Sequence, residues 1–304
     1  MQIAIIGMGS MGPGMAARLA RGGHEVRAMD IAPAAIERSK AMGPMIAEAL
    51  NGLNVIDQGG LISYHEKLEP AVVGADLVIE NVLEKIEIKA QIYSEIDTLI
   101  EAETLVASDT SGIPITQLQA HISHPERFVG MHWSNPPHII PMIEVIAGES
   151  TSKATVTSIQ NLIRSLDLLP VTLKRDVPGF VENRVLYALL RECVDLVEKG
   201  VIDAQDLDTC VKWGIGYKLS VVGPMRLLDM AGLDIYQSVA SFLNAELCDR
   251  ADVSPMVTNA TDKGKLGMKS GSGLFDYSPD ELAALPRERG AKLVAVRRVL
   301  EGKA

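Results

Sequence analysis

Disulfide chemistry has almost nothing to work with in this chain. Of 304 residues only three are cysteine (Cys193, Cys210 and Cys248), odd in number and far apart. That usage excludes a disulfide frame and a cysteine-built zinc site, and it points to a reducing compartment, the cytoplasm. Positive charge is also in deficit: 29 Lys and Arg face 39 Asp and Glu, a formal net charge of −10. Nucleic acids and anionic membrane surfaces are polyanions, so neither is expected as a partner. No apolar run approaches the roughly eighteen residues that a membrane span needs. MQIAIIG opens directly into strand-like sequence, leaving no room for a charged leader. Internal repeats and low-complexity tracts are missing. His121 and His124 have ligand-like spacing but no clustered cysteine or carboxylate partners, so no metal is expected.

What remains is a globular composition, 47% hydrophobic and 22% charged, in a chain long enough for one large or two ordinary domains. Up to about residue 177, short apolar runs alternate with helical patterns. The runs are QIAIIG (2–7), HEVRAMD (24–30), ADLVIEN (75–81), TLVASD (104–109), RFVGMHW (127–133), PMIEVIAG (141–148) and PVTLKR (170–175). Such alternation predicts βαβ units: an α/β domain with a Rossmann-type, mostly parallel sheet over 1–177. After DVPGF (176–180) the strand-like runs stop. Residues 181–200, 203–214 and 223–243 read as helices, and the tail reads as a helix pair interrupted at Gly290. An all-helical substrate and dimerisation domain is therefore expected over 178–304. Its apolar positions Leu186, Leu189, Leu190, Val194, Leu196 and Val197 exceed what one small bundle hides, which predicts a homodimer.

Gly7-Met8-Gly9-Ser10-Met11-Gly12 is a G-x-G-x-x-G sequence that follows a strand, opens a helix and precedes Asp30 at the end of the next strand. That context makes it a dinucleotide site. Gly7 permits the tight turn, Gly9 lets the backbone approach a diphosphate, and Gly12 lets the helix pack on the strand, with Met11 in the same loop. Asp30 is placed to accept the adenosine ribose hydroxyls. A carboxylate there repels a 2′-phosphate, and Ile31, Ala32 and Pro33 bring no arginine for one, so NAD is expected rather than NADP. Farther on, His132 ends one apolar strand and Glu144 sits inside the next. A carboxylate in an apolar strand is costly unless paired, and a nearby histidine is a suitable partner. The pair fits a general base with its orienting carboxylate, and it equally fits a structural ion pair.

Seven ordered motifs carry a resemblance: the glycine loop, IENVLE (79–84), SDTS (108–111), RFVGMHWSNPP (127–137), IEV (143–145), DVPGFVENR (176–184) and KLGMKSGSGLFDY (265–277). Together they resemble the L-3-hydroxyacyl-CoA dehydrogenase family over nearly the whole chain. The resemblance implies that His132 is the general base, Glu144 its partner, and Ser111 and Asn183 the contacts to the substrate oxygen. It also implies that Glu84, Lys89, Asn135 and Lys269 lie along the nicotinamide half of NAD.

The chain departs from the acyl-CoA members of that family in three places. It has Asp109-Thr110-Ser111-Gly112 where Asn-Thr-Ser-Ser is usual, and Trp133-Ser134 where an aromatic pair is usual. Where those members have a lysine-rich arm, residues 31–70 carry only Arg38, Lys40 and Lys67 against Glu37, Glu48, Asp57, Glu66 and Glu69. A net acidic arm suits the phosphates of CoA poorly. Several stretches are more similar to members acting on small free acids, which implies a pyridine aldehyde carboxylate as substrate, with His138 and Arg184 as candidates to meet its carboxylate or ring hydroxyl. Acyl-CoA esters are the alternative, and an NAD-binding protein with a crystallin-like structural role is a more remote one. The glycine loop also resembles the 3-hydroxyisobutyrate dehydrogenases, but their lysine after the domain boundary has no counterpart in 181–198.

Overall fold

The fold is that of a computed structural model, which describes residues 1–303. Contacts divide the chain into two units: Met1–Asn183 with Gly290–Arg298, and Arg184–Arg289 with the residues from Val299 on. The first unit is built on one eight-stranded sheet: β1 (Gln2–Ile6), β2 (Glu25–Met29), β3 (Ile62–His65), β4 (Leu77–Glu80), β5 (Leu105–Ser108), β6 (Phe128–Trp133), β7 (Met142–Ile146) and β8 (Leu169–Leu173). The order across the sheet is β3-β2-β1-β4-β5-β6-β7-β8. All neighbours are parallel except β6 and β7. The helices of this unit are α1 (Gly12–Arg21), α2 (Pro33–Gly52), α3 (Leu68–Val72), α4 (Ile86–Asp97), α5 (Ile115–Gln119) and α6 (Lys153–Ser165).

The central strands are apolar at nearly every position because both sheet faces are covered. Side chains alternate between two cores. Ile3, Ile5, Leu77, Ile79, Val129 and Met131 pack with Met15 and Leu19 of α1 and Ile159 and Ile163 of α6. Ala4, Ile6, Val78, Val106 and Phe128 pack with Val72 of α3, Tyr93 and Ile96 of α4, and Leu118 of α5. The order of strands reverses direction between β1 and β4, and in open α/β sheets ligands bind outside the strand ends at such a point.

Seven of the eight strands match the apolar runs in the sequence. The other, β3, is a short edge strand, ISYH, whose half-exposed positions alternate too weakly to stand out; it is defined by its pairing of Ile62 with Val26. The expected break at Gly290 is corrected: the last helix runs unbroken over Pro279–Leu300. A glycine inside a helix costs only about 1 kcal/mol relative to alanine, and the turns around it are anchored. Buried Arg297 donates to the Ile139 carbonyl at 2.7 Å.

In the second unit α7 (Glu182–Glu198) and α8 (Ala204–Cys210) lead through a π-helical turn, Val211–Gly216, into α9 (Tyr217–Leu219). The helical pattern over 223–243 divides at Gly232 into α10 (Pro224–Ala231) and α11 (Leu233–Leu243), because Gly232 takes a φ of 100°, outside the helical region. The helix α12 is Pro255–Asp262, and α13 is the long Pro279–Leu300, of which Gly290–Arg298 belongs to the first unit. Among the described residues, no apolar side chain beyond Phe180 is fully buried. Leu186, Tyr187, Leu190, Met225, Leu233 and Phe242 are all exposed.

Candidate active site

The glycine loop sits at the reversal between β1 and β4. Gly7 adopts a φ of 109°, and a Cβ there would stand 2.2 Å from the Asn81 carbonyl oxygen. Asn81 closes the same crossing by donating through Nδ2 to the Gly7 carbonyl at 3.0 Å. At Gly12 a Cβ would meet the Gly7 carbonyl at 2.4 Å, whereas a Cβ at Gly9 would meet nothing within 4 Å. Two of the glycines are therefore required by the chain itself, and the third keeps open the space over the start of α1. An open, amide-lined approach to a helix N-terminus fits a diphosphate. Met11 is half-buried at that start and packs against the core. Asp30 accepts from the Met8 amide at 2.8 Å and from the Ala32 amide at 2.9 Å, so its carboxylate is held at the end of β2 with lone pairs remaining for hydroxyls. These residues fit NAD.

Period-two alternation brings a second set of polar groups to one face: Glu80 ends β4 after Val78, Ser108 ends β5 after Val106, and His132 follows Phe128 and Gly130 on β6. The antiparallel register sets His132 directly opposite Glu144. His132 Nδ1 and Glu144 Oε2 lie 2.8 Å apart. The other oxygen, Oε1, accepts the amides of Val181 at 2.9 Å and Glu182 at 3.1 Å, where the chain enters α7. Burial pushes the Glu144 carboxyl up, but the hydrogen bonds from His132, Glu182 and Val181 and the imidazole charge outweigh it and hold the carboxyl below its usual range. Burial likewise pushes His132 down, and the hydrogen bond to Glu144, with the charges of Asp109, Glu144 and Glu182, brings it above the ordinary histidine value. The pair is thus a carboxylate and an imidazole whose Nδ1–H is committed, leaving Nε2 for chemistry.

Ser111 and Asn183 are brought together, with Asn183 Nδ2 donating to the Ser111 carbonyl at 2.6 Å. By its contacts Asn183 falls in the first unit rather than beyond the expected boundary, because this bond and the Glu144 amide contacts tie the α7 entry to the sheet. Beneath Ser111, Glu84 Oε1 accepts the Thr110 hydroxyl at 2.6 Å and the amides of Ser111 at 2.9 Å and Gly112 at 3.1 Å. Lys89 joins Glu84 at 3.3 Å and Glu80 at 2.7 Å. Being only 1% exposed, Lys89 lies under the site rather than in its wall, and reaches the surface through Glu84. Glu80, fully buried, also accepts Tyr93 Oη at 2.5 Å, Ser108 Oγ at 2.7 Å and the Val82 amide at 2.8 Å.

Other expected residues are placed less centrally. Asn135 is exposed and begins the cis bond to Pro136. Lys269 is an exposed residue of the second unit, in the turn between α12 and α13, and Arg184 is the exposed first residue of that unit. His138 is buried, its Nδ1 has no hydrogen-bond partner, and burial pushes its pKa down to about 4. A neutral imidazole offers one hydrogen-bond donor and one acceptor rather than a cation.

Sequence reasoning missed three groups. Glu80 lay in a quoted motif without a role, although a carboxylate ending a buried strand demands partners. Asp109 is buried, accepts the Trp133 amide at 2.8 Å, and is pushed by burial up to about 7. Glu182 accepts the Ser134 hydroxyl at 2.5 Å, a pairing that no local pattern announces across 48 residues.

Residues 2–177 match the family described as 3-hydroxyacyl-CoA dehydrogenase, NAD binding domain, and residues 179–277 match its C-terminal domain. The chain is 66% identical over 304 residues to 5-formyl-3-hydroxy-2-methylpyridine 4-carboxylate 5-dehydrogenase of Mesorhizobium japonicum, covering 99% of this chain and 98% of the relative. A probable 3-hydroxybutyryl-CoA dehydrogenase of Bacillus subtilis is 34% identical over 286 residues, covering 91% and 97%. Among solved structures, a 5-formyl-3-hydroxy-2-methylpyridine 4-carboxylic acid 5-dehydrogenase, described as an NAD+-dependent dismutase, superposes with a TM-score of 0.97 at 65% identity over 99% of both chains.

The buried cation makes the first testable statement. Lys89→Met leaves the Glu80 carboxylate buried without its countercharge, and the expected loss of stability is about 3–5 kcal/mol. Urea unfolding measures it; a loss under about 1 kcal/mol would show that Lys89 does not hold this network together.

Proposed function

The chain belongs to the 3-hydroxyacyl-CoA dehydrogenase family, and from that premise we propose that it oxidises 5-formyl-3-hydroxy-2-methylpyridine 4-carboxylate, a small free aldehyde acid, with His132 as general base. The observation that carries the reading is the buried His132–Glu144 pair in a chain 66% identical, end to end, to a dehydrogenase of that name. An aldehyde has no hydroxyl to deprotonate, but its hydrate has. His132 Nε2 removes a hydroxyl proton from the hydrate, while Glu144 keeps the ring oriented and stabilises the imidazolium that forms. Ser111 and Asn183 hold the reacting oxygen. NAD, when bound along Gly7, Gly9, Met11, Gly12 and Asp30, supplies the hydride acceptor for this oxidation and, once reduced, the hydride donor for reducing a second aldehyde to the alcohol. Glu84 and Asn135 would border its nicotinamide half, with Lys89 acting there through Glu84.

The charge of the arm supports a free acid over a CoA ester: Glu37, Glu48, Asp57, Glu66 and Glu69 are all exposed. Acyl-CoA oxidation is the second reading, favoured by the 34% identical relative. The three free thiols fit a reducing compartment, the cytoplasm. The uncovered apolar side chains of α7, α10 and α11 fit a homodimer formed through the second unit.

Three measurements test these statements. NADH formation is expected with the pyridine aldehyde acid and not with 3-hydroxybutyryl-CoA, and His132→Ala should reduce it roughly 10²- to 10⁴-fold; turnover of the CoA ester alone would overturn the substrate assignment. Because Glu144 helps raise the His132 pKa, and oxidation needs the neutral ring, the acid limb of kcat/KM belongs above the ordinary histidine value. Glu144→Gln should lower the rate and move that limb to lower pH; a limb that stays put would assign it to another group. Light scattering should return the mass of two chains, and a single-chain mass would remove the dimer.

A further inference from the structure

Beside the His132–Glu144 pair stands a carboxylate that the proton transfer just described does not use. A ring nitrogen of His132 and one carboxylate oxygen each of Glu144 and Glu182 lie within 4.8 Å of one another. The two glutamates are committed differently. Glu144 is 1% exposed and its two oxygens take the imidazole and two amides. Glu182 is half-buried, and the hydroxyl of buried Ser134 donates to its Oε2 at 2.5 Å. Ser134 follows His132 by two residues, so this bond ties the Glu182 side chain to the segment that carries the base. A carboxylate offers about four lone-pair positions, and one hydrogen bond from Ser134 leaves accepting capacity beside the pair.

We propose that Glu182, held by Ser134, accepts a hydrogen bond from the second hydroxyl of an aldehyde hydrate, and so selects the hydrate for oxidation. The inference rests on the aldehyde reading above. The chemistry distinguishes two halves of the reaction. A hydrate carries two hydroxyls on the reacting carbon: one gives its proton to His132 as the carbon loses hydride, and the other stays on that carbon to become part of the product carboxylate. A secondary alcohol has no second hydroxyl, and neither has the free aldehyde that is reduced to a primary alcohol. An acceptor-only group beside the base therefore favours the hydrate over both and gives nothing to the reducing direction. Neighbouring groups explain why this acceptor must come from Glu182: both oxygens of Glu144 are occupied, and Asp109 is buried against the Trp133 amide.

The test compares the two half-reactions in the intact enzyme, NADH formation and NADH consumption, both with the pyridine aldehyde acid. Glu182→Gln keeps the size of the side chain, and the amide that Glu182 donates to Glu144 belongs to the backbone, so the His132–Glu144 pair is left in place. Oxidation should fall roughly ten- to a hundred-fold, as for loss of a hydrogen bond to a charged group, chiefly through a higher KM. Because the Glu182 charge also helps raise His132, each direction is read on the plateau of its own pH profile, where reduction should stay within about threefold, which also reports on folding. An equal fall in both directions, or no fall in either, overturns the proposal. Should Glu182→Gln fail to fold, Ser134→Ala decides instead: it leaves the carboxylate present but unheld, and a loss confined to oxidation is expected, whereas a parallel loss or none overturns the proposal. Wild-type enzyme that turns over the aldehyde in neither direction would refute the substrate assignment itself, an outcome separate from any result with the variants.

Discussion

Glu144 receives hydrogen bonds from three directions, the imidazole of β6 and two amides at the entry to α7, and the rest of the site takes its positions from that one carboxylate. A charged group in the middle of a buried strand is tolerated only when its lone pairs are filled. Filling them fixes the tautomer of His132, pins Val181 and Glu182 to the sheet, and thereby brings Asn183 to the Ser111 carbonyl and Glu182 to the Ser134 hydroxyl. The cost of burying the charge is met by the same bonds that orient His132 and the entry to α7.

A second buried carboxylate supports the other wall. Glu80 gathers Lys89, Tyr93, Ser108 and the Val82 amide, and through Lys89 it steadies Glu84, whose oxygen collects the loop Thr110–Gly112. Both networks stand at strand ends on one face of the sheet. Parallel strands β4, β5 and β6 deliver their last residues to a common edge, and alternation decides which of them face α4. Low-dielectric surroundings make such networks exacting, since each member left without its partner is a buried polar group at full cost.

Charge distribution complements this geometry. An acidic arm, an acidic chain overall and an imidazole, His132, flanked by Glu144, Asp109 and Glu182 suit a small substrate recognised at close range better than one held by its phosphates. Asp109 and Ser134 stand where related acyl-CoA enzymes are expected to have other residues. Asp109 accepts the Trp133 amide of the β6 segment that carries His132, and Ser134, the residue after that segment, donates to the Glu182 carboxylate.

Much of this was legible in the residues alone. Seven strands, the glycine loop with Asp30, and the His132–Glu144 pair all follow from local rules: apolar runs, a turn that only glycine can make, and a charge that cannot stay unpaired in a strand. The resemblance added Ser111, Asn183 and Glu84. What sequence could not decide were contacts between segments far apart in the chain. The place of Lys89 beneath the site depends on Glu80 and Glu84, and the Glu182–Ser134 bond spans 48 residues. The unbroken last helix depends on Arg297 finding the Ile139 carbonyl, 158 residues away. Local sequence sets the period of a strand or the start of a helix because those interactions lie within a few residues. Which polar group meets which in the interior is set by the register of the sheet and the packing of helices on it, and these exist only once the chain has folded.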